Sequence, residues 1–341
     1  MAGAAHRRVT LSRMAPGILF ALAAGLMWGL VFIGPLLLPD YPAALQSFGR
    51  YLAFGLIALP LAWMDRRRLA QFSRADWLEA AKLGLVGNIL YYLFLASAIA
   101  RAGGPLPTMI IGTLPVVIAI SSNLRDARRD GRLPWLKLLP SLGLIAAGIG
   151  CVNLVELDHL RSSASADQQA DASRYALGAL LTVGAVACWT WYPLRNADWL
   201  RHHPDRSPRA WATAQGVATL PLALVGYLGF WAWSAASGSS LPMPLGPRPE
   251  VFLALMFTIG LFASWLGTLC WNEASQRLPT ALAGQLIVFE TLAALTYALL
   301  LRGTVPPLLT GVGVLLLVAG VVWALRVKPE PLAAPAQPRR G

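Results

Sequence analysis

Charge is scarce in this 341-residue chain: Asp, Glu, Lys and Arg together make up 13% of it, about half the ~25% usual for a soluble domain. So little charge cannot cover the surface of a water-soluble core of this size. Cysteine is scarce too. Cys151, Cys188 and Cys270 show no CxxC or His-rich spacing, which leaves neither a disulfide framework nor a metal set and makes them small apolar packers. The four histidines, His6, His159, His202 and His203, all fall in tails or connections, so no histidine proton relay lies among the apolar runs. Neither GxxxxGK[ST] nor GxGxxG occurs, which removes the usual cradles for ATP or a dinucleotide. No cofactor and no metal is expected. The ten-residue alternation of a membrane β-barrel is also missing.

Apolar residues dominate what is there, at 56% of the chain. They clump into ten runs: 16–38, 42–64, 76–100, 103–123, 134–155, 175–194, 210–233, 250–272, 279–301 and 306–325. A hydrocarbon layer of ~30 Å takes about 20 residues of helix, so each run is long enough, or nearly so, to cross it. The first run exceeds the ~7–15-residue core of a signal peptide and is followed by nine more. The pattern predicts an all-α membrane protein with ten transmembrane helices.

The net charge of +12, from 28 basic and 16 acidic residues, would suit nucleic acid if it were spread over the chain. Its distribution points to the lipid bilayer instead. With the N-terminus inside, 22 of the 28 basic residues fall in inner segments and span ends, five in outer loops, and Arg50 inside the second run. This positive-inside bias places both termini in the cytoplasm. Residues 156–174 are Ser/Ala/Asp-rich and read as a flexible extracytoplasmic linker. Residues 234–249 are Ser, Gly and Pro-rich and read as unstructured; Trp231 and Trp233 before them suit the outer interface. The expected organisation is a tail at 1–15, five helices over 16–155, the linker, five helices over 175–325 and a tail at 326–341.

The two halves echo each other faintly. Gly17 and Trp28 are eleven apart, as are Gly178 and Trp189. "SAIAR" at 97–101 resembles "EASQR" at 273–277, and the seven-residue spacing of Gly143 and Gly150 recurs in Gly313 and Gly320. An odd number of helices per half turns the second half over. Such inverted repeats are a transporter signature, with the site near the bilayer midplane.

The segments "ALAAGLMWGLVFIGPLL", "FGRYLAFGLIALPL", "GNILYYLFLASAIARAGGPLPTMIIGTLPVVIAI" and "GQLIVFETLAALTYALLL" resemble the drug/metabolite transporter superfamily in its ten-helix EamA-type branch. The likeness spans about residues 15–326. The chain departs from the common pattern at Thr291, where a proline often follows the mid-helix glutamate, and in lacking Gly-Glu pairs after runs four and nine. The resemblance implies a secondary transporter in a bacterial-type inner membrane that exports an amino-acid-like or drug-like metabolite.

Glu290 is the midpoint of the run 279–301. An ionisable group at that depth is a functional-site candidate by default, and it would couple transport to protons or bind a cation. Arg50 lies eight residues into the second run, about 12 Å deep against about 16 Å for Glu290 at ~1.5 Å per residue. It would pair with Glu290, hold a substrate carboxylate or snorkel to the headgroups. Asn88, Tyr91 and Tyr92 share one helical face, and Trp265, Thr268 and Asn272 another. With Trp28 and Trp189, these faces would line a cavity for a small organic substrate or pack helix interfaces. Gln215 and Gln285 read as interhelical hydrogen-bond formers. Pro115 frees a backbone carbonyl, and Gly112 before it eases bending, which makes the pair a hinge candidate. Gly143, Ala147 and Cys151 form a small-residue strip on which a homodimer would pack. No cluster suits an enzyme. A passive channel, or a membrane sensor or scaffold, is the rival class.

Overall fold

The computed structural model describes residues 2–102, 110–125, 134–163, 172–303, 305 and 307–327; the expected 326–341 tail and the start of the fourth run fall largely outside these. Among them there are helices and turns and no strand. In chain order, α1 is Ala2–Gly29, prolonged by a tight turn Leu30–Phe32 and Ile33–Leu37; α2 is Ala43–Met64. Then α3 combines Arg74–Leu83, a π-helical Gly84–Leu90 and Tyr91–Ala102; α4 is Leu114–Arg125, α5 Trp135–Ser163, α6 Ala172–His202 and α7 Pro208–Ala236. Finally α8 combines Pro249–Ile259, a π-helical Gly260–Leu266 and Gly267–Arg277; α9 is Thr280–Leu286 plus Val288–Arg302, and α10 is Leu308–Arg326. Seven of these units are long and apolar enough to cross a membrane, and three shorter apolar helices lie at Met14–Gly29, Leu114–Arg125 and Trp135–Cys151.

Local chemistry sets several ends. Ser73 caps α3 in a capping box, its hydroxyl accepting from Asp76 N–H at 3.2 Å while Asp76 Oδ2 accepts from Ser73 N–H at 2.8 Å; this satisfies two otherwise orphaned donors. Ser207 Oγ caps α7 by accepting from Ala210 N–H, ahead of Pro208, which suits a first helical position. Gly303, at φ +62°, closes α9 in the left-handed conformation that favours glycine.

Two sequence expectations change. The segment 156–174 is helical at both ends, because α5 runs to Ser163 and α6 begins at Ala172. Glu156, Leu157 and Leu160 are good helix formers and extend α5 past its apolar run. The segment 237–249 has no helix until Pro249, yet it is tied down: Tyr41 Oη donates to Leu245 O at 3.0 Å and accepts from Arg248 N–H at 2.7 Å. Gly246, at φ +76°, permits that contact, since a Cβ there would meet the Tyr41 ring at 2.3 Å.

The most extensive pairings are α3 with α6, α5 with α10, α2 with α7, α1 with α8, α1 with α9, α2 with α8, α3 with α7 and α4 with α9. Exchanging each helix of α1–α5 for the one five places on in α6–α10 returns seven of these eight pairs; the exception is α1 with α9, whose image, α4 with α6, is a much smaller contact among the described residues. Apolar burial does not drive helices together in lipid, so small residues set how closely they pack. Added Cβ atoms at Gly148 and Gly320 would meet α10 and α5 backbone atoms at 2.7 and 3.0 Å. Gly143 and Gly150 have nothing within 4 Å, so the small-residue strip faces outward.

Candidate functional site

The ninth helix is broken where its glutamate lies. Thr280–Leu286 and Val288–Arg302 meet at Ile287. There Ile287 N–H bonds Gly284 O at 3.3 Å and Glu290 N–H bonds Ile287 O at 2.9 Å, three-residue closures in place of the α ladder. Glu290 thus sits in the first turn of a new helix, the end that favours negative charge. Helix α1 holds this turn through Gly25 and Gly29: a Cβ at Gly25 would lie 3.0 Å from Glu290 N, and one at Gly29 2.7 Å from Ala293 Cβ. Residues 280–288 of α9 are buried, whereas most of 289–302 keep accessible surface.

Glu290, Asn88, Tyr91 and Tyr92 are all partly accessible although they lie deep in the bundle. Their side chains have no hydrogen-bond or ion-pair partner among the described residues, and their polar atoms are not sealed off. Glu290, Tyr91 and Tyr92 lie close enough together for their charges to interact. Arg50 lies near them, and its charge acts on Glu290, Tyr91 and Tyr92. It does not form the direct ion pair that matching depths suggested. Its Nε donates to Ser264 Oγ at 2.9 Å, and its guanidinium stands 5.0 Å from the Tyr51 ring centre. Ser264 lies in the π-helical turn of α8, a local widening that the depth estimate could not include.

An aromatic wall continues from Tyr91. Its ring stacks on Trp189 at 4.9 Å; Trp189 stacks on Tyr192 at 5.2 Å and meets Trp28 edge-on at 5.8 Å. Trp28 then contacts Trp271 at 5.3 Å. Sequence reasoning found Trp28 and Trp189 but missed Trp271 and Thr190. Trp271 Nε1, at this wall, and Thr190 Oγ1, elsewhere on the helix of Trp189, are buried polar atoms without a partner among the described residues. An orphaned buried donor is costly enough to point to a ligand or water partner. The signal available was position: Thr190 follows Trp189, and Trp271 follows Cys270 inside an apolar run.

The stripe on α8 goes elsewhere. Trp265, 8% exposed, donates to Thr213 Oγ1 at 3.2 Å, and Thr268 lies at the Tyr192 hydroxyl. Asn272 is fully buried: its Oδ1 accepts from Asn196 Nδ2 at 2.9 Å and its Nδ2 donates to Pro208 O at 3.2 Å. Asn196 Oδ1 accepts from Trp211 Nε1 and Gln215 Nε2, at 2.9 and 3.1 Å. Gln215 and Gln285 do make interhelical bonds, to Tyr192 and Ser141 respectively. Beyond this network lie ion pairs Glu79–Arg195, Asp65–Arg209 and Asp198–Arg125. The opposite end carries Asp40–Arg248.

The hinge candidates lie at a second break. Gly112 and Thr113 form a turn ahead of α4, with Thr113 N–H on Ile110 O at 3.1 Å. Pro115 is in the first turn of α4, where its missing N–H costs nothing. Helices α4 and α9, which pack together, are therefore both interrupted.

The EamA-like transporter family matches residues 15–153. Inner membrane protein YtfF of Escherichia coli (strain K12) is 55% identical over 317 residues, 93% of this chain and 97% of that protein. A protein crystal structure superposes with a TM-score of 0.66 over 91% of this chain and 96% of that one, at 16% identity, which speaks to fold alone. The chain belongs to the EamA-like transporter family, within the drug/metabolite transporter superfamily.

Proposed function

We propose that the protein is a secondary transporter that exports a small organic metabolite across the inner membrane by alternating access. Ten transmembrane helices form two inverted five-helix repeats, and both termini are cytoplasmic. The repeat reading is supported by the helix pairings, all but one of which exchange of the halves returns. It is also supported by the π-helical turns at 84–90 and 260–266, 176 positions apart like "SAIAR" and "EASQR". The inner-membrane assignment is supported by the name of the 55% identical relative.

One observation carries the functional reading: a partly accessible glutamate at a helix break, with no ion-pair partner among the described residues and within electrostatic reach of an arginine. Paired interrupted helices are where transporters of this architecture bind substrate and coupling ions. In this reading Arg50 holds an anionic group of the substrate, and Asn88, Tyr91 and Tyr92 take its polar edges. Trp28 and Trp189 flank its apolar body. Glu290 exchanges a proton with the cavity and couples the switch, while Gly112 and Pro115 allow α4 to bend. Trp265, Thr268 and Asn272 support the wall from behind. The buried half of α9 and the ion pairs around Glu79, Asp65 and Asp198 support a resting state closed at the cytoplasmic end.

The test is a panel of amino acids and small metabolites loaded into vesicles with and without the protein. Saturable counterflow of one class supports a carrier. Flux that neither saturates nor exchanges would mean a channel, and no flux for any class would favour a sensor or scaffold.

A further inference from the structure

We propose a binding site for an anionic phospholipid headgroup in the cleft between the end of α2 and the start of α7, separate from the transport cavity. The cleft holds about 340 Å³ and is lined by Met64, Asp65, Arg67, Arg68 and Arg209. Both helices are candidate membrane spans, so their adjoining ends place it at a membrane interface.

The charge balance selects the ligand. Three arginines face one carboxylate, and that carboxylate is already shared: Asp65 pairs with Arg209 at 2.9 Å and with Arg68 at 3.7 Å. Arg67 is exposed and has no ion-pair or hydrogen-bond partner among the described residues. Arg66 next to it is turned away, donating to Trp63 O at 3.0 Å with its guanidinium 5.0 Å from the Trp63 ring centre. The cleft is therefore a preformed cationic seat with an uncompensated guanidinium, suited to bidentate contact with a phosphate.

Its apolar flank fits a lipid. Met64, 65% exposed, lines the cleft, and Trp63 before it is 72% exposed at the end of α2; an exposed tryptophan at a span end is an interfacial anchor. Leu56 and Leu59 are also exposed and fall on the Trp63 face of α2, giving acyl chains a track from the cleft toward the midplane. A headgroup bridging Arg67 and Arg209 would tie α2 to α7.

The experiment is native mass spectrometry of the full chain in mild detergent. Phosphatidylglycerol, phosphatidylethanolamine or inorganic phosphate is added to the wild type, Arg67→Gln, Arg67→Gln plus Arg68→Gln, and Arg74→Gln. Arg74 is exposed and lies outside the cleft lining. Phosphatidylglycerol occupancy should exceed that of phosphatidylethanolamine about fivefold. It should drop about fivefold in the double variant and partly in Arg67→Gln, and stay unchanged in Arg74→Gln. The single Arg67→Gln variant keeps the test valid if loss of the Arg68–Asp65 pair impairs folding. Equal binding of the two lipids, or an equal loss in Arg74→Gln, would overturn the proposal. So would displacement of phosphatidylglycerol by millimolar inorganic phosphate, which would make the cleft a free-phosphate site.

Discussion

Trp271 carries an indole N–H that no described residue accepts, beside Trp28 at the central wall. If that donor serves the substrate, Trp271→Phe should leave thermal stability within about 1 kcal/mol of wild type, because no resting hydrogen bond is lost. The KM for transport should rise roughly tenfold, as one hydrogen bond to a polar ligand is worth ~1.5 kcal/mol. Unchanged KM would assign the orphan to a trapped water. Asn196 is the opposite case. It is buried and joins Trp211, Gln215 and Asn272. Asn196→Leu strands three polar groups and should cost about 3 kcal/mol or more in thermal or denaturant unfolding, since each unmet buried group costs ~1–3 kcal/mol. A loss under 1 kcal/mol would show that water replaces the amide.

Among the elements, α1 and α9 show how small residues position a charged one. Gly25 and Gly29 lie against α9 backbone at Glu290 and Ala294. Gly29→Leu should push α9 away, costing about 1–3 kcal/mol as overpacking does, and should impair transport more than expression. Gly143→Leu, in open space, should do neither; equal effects would mean that α1 and α9 do not need this contact. The connections at the Asp40–Arg248 end carry their own test. Arg248 donates to Asp40 and holds its carboxyl below the usual 3.8. A lowered folded-state value means that the contact stabilises above the ordinary carboxylate range and is lost as pH falls through that lowered value. Asp40→Asn should therefore lower the melting temperature at neutral pH and match wild type in strong acid; a pH-independent difference would contradict the pairing. Much of this architecture was legible in the sequence. Apolar runs gave the helices, and Glu290 stood out because lipid makes a carboxylate expensive. The breaks in α4 and α9 and the π turns were not legible, since each is one missing ladder bond decided by neighbouring helices. Arg50 was sought beside Glu290 because depth alone ignores rotation about the helix axis, and rotation brings it to Ser264. The α8 stripe shared a face as expected, but that face meets α6 and α7, which spacing within one helix cannot reveal.

In the proposed carrier, the whole molecule rests sealed at the end that holds the buried half of α9. Two halves with largely matching pairings would exchange which end is sealed by rocking, and the ion pairs around Glu79, Asp65 and Asp198 would open in the other state. A carrier of this kind needs one group that senses occupancy or protons and has no fixed partner, and Glu290 meets that description. The most direct measurement is efflux from proteoliposomes across a range of pH, comparing wild type with Glu290→Gln at equal reconstitution. The amide keeps shape and hydrogen-bonding capacity but cannot release a proton, and Arg50 keeps its bond to Ser264, so the variant should fold normally. Wild-type flux should vary with pH, and the Glu290→Gln flux should be at least tenfold lower or independent of pH. Transport by Glu290→Gln at the wild-type rate, with the wild-type pH profile, would contradict the assignment of Glu290 as the coupling group.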